Sequence, residues 1–355
     1  MNEAKEIMQP IESPPGKLVL FGSGETSPSG QPIHERMLRE LKAPVRVAVL
    51  ETPAGFQPNS EIVARKVGEF MEQRLQNFRP QVRILPARKK GTAFSPDDPE
   101  IVAPILESDY IFMGPGSPTF MVRQLAGTLA WNYLIQRHRQ GAFLCMASAA
   151  ALAISALVIP VYEVFKVGED PRWVTGLDLL GPYGLHLAIV PHWNNAEGGD
   201  ELDTSRCFMG QARMDELRRQ LPSSTRILGI DEHTAVIFDF EQACCLVQGK
   251  GTVRTWSRDE ECVYEAGGSF PFSELGSEWH PTSTAPREQV ASPSPAPVEV
   301  PPHVAELVEQ RERARKERDW SSADALRRQI AELGYEIRDT SQGPSAYPRG
   351  NSSSS

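Results

Sequence analysis

Short apolar runs and longer amphipathic stretches alternate along the first two thirds of the chain. Residues 17–21 (Lys-Leu-Val-Leu-Phe), 44–50 and 110–113 are largely apolar runs bounded by Gly, Pro or polar clusters, the pattern of buried strands, and 81–85 is a further strand. Between them apolar residues recur at helical spacing. In 60–77, for example, Ile62, Val63, Val67, Phe70 and Met71 fall on one face. Helices are likewise predicted at 32–41, 99–106 and 119–138. A fifth strand, 142–146, runs into an alanine-rich helix start near Ser148. Strands that alternate with helices in this way predict an α/β domain, an open and mostly parallel sheet with helices on both faces. Strands at 186–190, 226–230, 234–239, 244–247 and 252–256, with a helix at 211–221, carry the domain from residue 17 to about 275.

The pattern then changes. Residues 276–302 turn to Pro, Ser, Ala and Thr and predict an extended linker, because such a segment cannot bury a core. Two helices, 304–318 and 321–333, predict a helical hairpin within a segment spanning 303–340, with a short strand at 335–340. Residues 1–16 read as a flexible lead-in and 341–355 as a disordered tail.

Composition narrows the function classes. With 355 residues and a formal net charge of −9, a nucleic-acid surface across the whole molecule is not expected. No apolar run reaches the roughly 18 residues of a membrane span, and the first residues lack the basic-then-apolar layout of a signal peptide, so a cytoplasmic protein is expected. Five cysteines without a Cys-x-x-Cys pair point to free thiols rather than a disulfide framework or zinc site. Nothing in the sequence asks for a metal or cofactor. The glycine loops at 22–26 and 114–118 lack both the third glycine of a dinucleotide fingerprint and the Lys-Ser/Thr ending of a P-loop.

Candidate chemistry gathers where open sheets bind ligands, at the carboxyl ends of the strands. Ser148, in Met146-Ala147-Ser148-Ala149-Ala150, sits at a strand-to-helix corner flanked by small residues, as a nucleophile elbow does. The alternative is a buried strand leading into a core helix. A serine nucleophile needs a base, oriented in turn by a carboxylate. Of seven histidines, His192 and His233 directly follow strands, although a strand-end histidine also serves structural roles. For the acid, Glu163 is flanked by apolar residues, and Asp231 and Glu232 are its rivals.

Six segments in order carry a resemblance: Gly22-Ser-Gly-Glu25, Gly114-Pro-Gly-Ser117, the Ala147-Ser-Ala149 elbow, Gly176-Leu-Asp-Leu-Leu180, Pro191-His-Trp-Asn194 and Gly229-Ile-Asp-Glu-His-Thr-Ala235. Together they resemble the peptidase E and cyanophycinase family of serine peptidases, over roughly residues 17–240. The resemblance implies a class I glutamine amidotransferase-like fold with a flavodoxin-like core, and a Ser-His-acid hydrolase acting on small peptides with an aspartyl residue. It places the nucleophile at Ser148, the base at His192 and the acid at Glu163. Oxyanion donors would come from the N–H groups of Ala149 and Gly116, and substrate contacts from Arg206, Asn194 and Glu25. The chain departs from the family's Gly-x-Ser-Ala-Gly-Ala elbow at Met146 and Ala150. Pro115 also lacks an N–H in a loop that the family builds from glycines. A homologue that has kept the fold as a binding or scaffold protein is therefore the alternative function. Separately, 314–343 is similar to the carboxyl-terminal end of cysteinyl-tRNA synthetases, which implies an RNA- or protein-contact module at 303–340. The Arg311, Arg313, Arg315 and Arg318 run suits such a role.

Overall fold

The computed structural model describes residues 14–257, 260–279, 302–316, 319–333, 335–340 and 343–348. The chain divides into two compact units, Met1–Val290 and Ala291–Ser355. Most of the predicted lead-in, linker and final tail lie outside the described residues.

In the first unit, five parallel strands form one side of an eight-stranded sheet. They are β1 (Leu18–Phe21), β2 (Arg46–Leu50), β3 (Gln81–Leu85), β4 (Tyr110–Met113) and β5 (Phe143–Ala147), in the order β1-β5-β4-β2-β3, with β3 at the sheet's edge. Except in the edge strand β3, where Gln81 and Arg83 are exposed, their side chains alternate between two buried faces. Leu18 and Leu20 of β1 enter one hydrophobic core while Val19 and Phe21 enter the other, which is why the run reads as continuously apolar. Helices Gln31–Leu38 and Ser60–Arg74 cover one face, and helices Pro118–Leu125 and Leu129–Arg139 belong to the other.

Two sequence expectations change here. The single helix expected at 119–138 is two, because Gly127 takes a left-handed φ of 72° and Thr128 caps the second helix by accepting from the Trp131 N–H. The later strands also do not all join one sheet. After the short β6 (Leu157–Val158) and β7 (Val174–Thr175), a second sheet forms from β8 (Leu187–Val190), β9 (Arg226–Ile230), β12 (Thr252–Trp256) and β13 (Glu261–Glu265), in the order β13-β12-β9-β8. The strands β10 (Thr234–Asp239), β11 (Cys244–Gly249) and β14 (Ser269–Pro271) return to the first sheet, with β10 antiparallel to β1. Residues 231–233 are therefore the crossover from one sheet to the other. No helix among the described residues is long and apolar enough to cross a membrane.

Met146 occupies a position where the resembled family has glycine. Its side chain is wholly buried in the core beneath the elbow, in register with Leu20 on one side and Met113 on the other. The strand's alternation points it away from the face holding Cys145 and Ala147.

The second unit packs helix Pro302–Lys316 with helix Trp320–Glu332 through Val304, Val308 and Ile330. Asp319 caps the second helix, its carboxylate accepting the Ser322 N–H at 3.1 Å. The expected strand at 335–340 finds a partner in the segment read as disordered: β15 (Tyr335–Thr340) pairs antiparallel with β16 (Gly343–Pro348).

His34 and His138 are wholly buried. His34 contacts the Tyr110 hydroxyl and the Glu25 carbonyl, both at 2.8 Å, and His138 Nε2 contacts the Gly16 carbonyl at 2.7 Å. Burial pushes both from the ordinary 6.5 down to about 4, against the opposing pull of those carbonyls. Because the folded value lies below the unfolded one, unfolding takes up protons once the pH drops below about 6.5. Stability present above that pH is lost progressively toward pH 4. Urea unfolding at pH 7 and pH 5 should show a loss of roughly 2 kcal/mol per histidine, and His138→Gln should flatten the pH dependence. An unfolding free energy that stays level over this range would contradict the account.

Candidate active site

Adjacent strand ends build one side of the site. Strands β1, β5 and β4 are neighbours, and the segments leaving their carboxyl ends are Gly22-Ser-Gly-Glu25, Ser148 and Gly114-Pro-Gly-Ser117. Ser148 has φ 52° and ψ −114°, outside both the strand before it and the helix Ala149–Ala153 after it. Its N–H donates to the Phe21 carbonyl at 3.3 Å, which ties the corner to the end of β1. Gly116 lies so close to the Pro53 carbonyl that a β-carbon would sit 1.9 Å from that oxygen, and the next N–H, of Ser117, donates to the same oxygen at 2.9 Å.

The other side comes from the second sheet. His192 lies just past β8 and Glu232 just past β9, two strands that run parallel and adjacent. The His192 N–H donates to the Gly22 carbonyl at 3.3 Å and the Trp193 N–H to the Ile230 carbonyl at 3.0 Å, so the loop is tied to both sheets. The imidazole spans the gap: Nε2 is 2.9 Å from Ser148 Oγ, and Nδ1 is 3.1 Å from Glu232 Oε1.

The carboxylate on His192 is Glu232, which sequence reasoning held as a rival, and not Glu163. Glu163 is engaged elsewhere, its Oε1 accepting from the Thr119 hydroxyl at 2.7 Å, and Thr119 in turn meets Ser117 Oγ at 3.1 Å. Its apolar neighbours in sequence signalled burial, not proximity to the histidine. Asp231 is committed elsewhere, with Oδ2 accepting from both the N–H and the hydroxyl of Thr252 at 2.8 Å. The signal for Glu232 was its place directly after a strand, on the same edge as Ser148 and His192.

Two asparagines hold Glu232. Asn195 Nδ2 donates to the same Oε1 at 3.0 Å, and Asn194 Oδ1 accepts the Glu232 N–H at 2.7 Å. Sequence reasoning named Asn194 for substrate contact and did not single out Asn195. Burial raises the Glu232 carboxyl, but the hydrogen bonds from Asn195 and His192, with the nearby imidazoles of His192 and His233, outweigh it and set it below the usual carboxylate value. Glu25 goes the other way. Burial raises it, against its own backbone N–H and the same two histidines. His233, the second candidate base, has Nδ1 3.1 Å from Ser29 Oγ and packs against Gly24, so it buttresses the first loop.

Arg206 lies in a left-handed turn in which Arg206, Cys207 and Phe208 have φ of 55°, 57° and 67°. The turn is fastened to the histidine loop, with the Arg206 N–H donating to the Trp193 carbonyl at 2.8 Å and the Cys207 N–H to the His192 carbonyl at 3.1 Å. The Arg206 guanidinium sits over the Trp193 ring, 5.5 Å from its centroid. Of nine non-glycine residues at positive φ among the described residues, six (Ser148, His192, Arg206, Cys207, Phe208 and His233) belong to this site, and such backbone strain collects at functional centres.

The chain has relatives among known proteins. Residues 298–343 match the cysteinyl-tRNA ligase anticodon binding domain. This end is 56% identical over 52 residues to the cysteine–tRNA ligase of Chlamydia caviae, and 54% identical over 46 residues to that of Methanosarcina mazei. The chain spans only about a tenth of the length of those relatives, 11% and 10%. The crystal structure of a peptidase from an acI-B1 Actinobacterium superposes with a TM-score of 0.59 at 21% identity, over 74% of this chain and 98% of that one, and shares the fold. Residues 63–245, half of the chain and all of the elbow, His192 and Glu232, match the model of peptidase family S51. The chain belongs to peptidase family S51.

Proposed function

We propose that the first unit is a serine hydrolase that cleaves an amide bond in a small aspartyl-containing peptide. The observation that carries this reading is the unbroken relay Ser148 Oγ–His192 Nε2, His192 Nδ1–Glu232 Oε1, at 2.9 and 3.1 Å. His192 takes the hydroxyl proton as Ser148 attacks the carbonyl carbon, then gives it to the departing amine, and water later releases the acyl group by the reverse path. Glu232, ionised and held by Asn195, fixes the ring so that Nε2 faces the serine and steadies the imidazolium that forms. The N–H groups of Ala149 and Gly116 are the donors for the developing oxyanion, which leaves the missing N–H of Pro115 without consequence. Arg206 pairs with a substrate carboxylate. Family membership supports a peptidase-type activity, and Met146 is absorbed by the core rather than filling the elbow.

A second reading concerns the carboxyl-terminal unit alone. Its match to an anticodon binding domain supports RNA contact as a separate role.

Fluorophosphonate should label the wild-type protein and not Ser148→Ala; equal labelling of both would remove Ser148 from the mechanism, and no labelling of either would favour a binding protein that has lost catalysis. Glu232→Gln should lower kcat by about 10²- to 10⁴-fold on an aspartyl dipeptide, and Glu163→Gln by less than tenfold. The reverse ranking would restore Glu163 as the acid. For the second unit, a chain ending at residue 301 should lose tRNA retention on a filter at low salt, while unchanged retention would discard the RNA role.

A further inference from the structure

A cavity of about 490 Å³ opens beside the His192 loop, with Trp193, Arg206, Arg218, Arg254, Trp256 and Glu261 in its wall. Arg254 and Trp256 are alternate residues of β12 and so share one face of the second sheet. Arg254 is in register with Gly229 of β9, and that glycine makes room for a ring: a β-carbon there would sit 2.4 Å from Trp193 Cε3. The Trp193 and Trp256 rings meet edge to face at 5.0 Å. The Arg218 guanidinium lies on Trp256, 3.9 Å from its centroid, as that of Arg206 lies over Trp193. Stacking of this kind holds a guanidinium in place while leaving its edge free to donate.

Donors outnumber acceptors in this wall. Glu261 accepts from Arg254 Nη1 at 3.1 Å, and neither Arg206 nor Arg218 has a carboxylate within ion-pair reach among the described residues. Arg206 Nε, Arg254 Nε and Trp256 Nε1 are buried with no acceptor, and Trp256 itself is only 5% exposed. Buried donors are costly to leave unmatched, so a cluster of them marks where an anionic acceptor belongs. That three guanidiniums gather against one carboxylate in a chain of net charge −9 sharpens the point.

We infer that this cavity binds an acidic peptide segment, taking a carboxylate beyond the bond presented to Ser148. The inference rests on the hydrolase reading of the neighbouring loop, since the Arg206 turn is hydrogen-bonded to His192 and Trp193 and joins the two sites. Guanidinium forks match the planar carboxylate, and the cavity is large enough for more than one side chain. Arg218, Arg254 and Trp256 thereby become specificity-determining residues for a substrate with more than one acidic group.

The test uses the full chain carrying Ser148→Ala, which binds without turnover, titrated by calorimetry with tri-aspartate, trialanine and inorganic phosphate. Tri-aspartate should bind at least about tenfold more tightly than trialanine, and Arg218→Met or Arg254→Met should each weaken it about tenfold, the scale of one charge-assisted contact. Should Arg254→Met fail to fold once Glu261 loses its partner, Arg218→Met, which gives up only stacking within the protein, decides the matter. Equal binding of tri-aspartate and trialanine, or tri-aspartate binding unmoved by Arg218→Met, would overturn the inference. So would phosphate displacing tri-aspartate at equal concentration, which marks a site for inorganic anions. Wild-type protein that binds tri-aspartate in the expected way but resists fluorophosphonate keeps the cavity's ligand and loses the hydrolase reading; labelling without such binding does the reverse.

Discussion

The hydrogen bond between Ser148 Oγ and His192 Nε2 spans two sheets. Ser148 stands at the end of β5 in the eight-stranded sheet, and His192 and Glu232 stand past β8 and β9 in the four-stranded one. Bringing these groups within 3.1 Å requires that the two sheets be held in fixed register, and the crossover 231–233, which links β9 to β10, contributes to this. The Gly22 N–H donates to the Thr234 carbonyl and the His192 N–H to the Gly22 carbonyl, so one glycine at the end of β1 binds both the start of β10 and the histidine loop. A backbone lock of this kind places side chains more tightly than loops alone would.

The chemistry follows from what the lock leaves exposed and what it buries. Glu232 has its charge stabilised by Asn195 and His192, whereas Glu25, a few residues beyond β1, is raised by burial. Two carboxyls with opposed tendencies beside one imidazole is a pattern by which sites divide acid and base roles. Left-handed backbone at Ser148, His192 and the Arg206 turn is sustained by hydrogen bonds from both sheets, and the Arg206 turn carries the site outward into the tryptophan-walled cavity.

Much of the fold was legible because β1, β2, β4 and β5 are buried on both faces and read as nearly unbroken apolar runs between helices, while the edge strand β3 alternates exposed Gln81 and Arg83 with apolar residues. Ser148 and His192 were legible for a related reason: each follows a strand, so each had to emerge at a sheet edge. The division into two sheets was not, since β8 and β9 carry the same apolar signature as the strands of the first sheet, and pairing depends on contacts distant in sequence. That concealed the partner of His192. Glu232 follows a strand as His192 does, but only the parallel pairing of β8 with β9 puts it on the imidazole in place of Glu163. The cavity was hidden likewise, because Trp193, Arg218 and Arg254 come together through three separate elements. In the carboxyl-terminal unit the helices were plain from their spacing, but Gly343–Pro348, rich in small residues, gave no apolar alternation and becomes a strand only by pairing with β15.

The central claim is that Ser148 makes a covalent bond to substrate within a relay supplied by both sheets. The most direct measurement is peptide mass spectrometry of the protein mixed with an activated aspartyl ester and quenched in acid during turnover. The account predicts an aspartyl adduct on the peptide containing Ser148 that decays as product accumulates. Product formation with Ser148 unmodified throughout, or with the adduct on another residue, would contradict it.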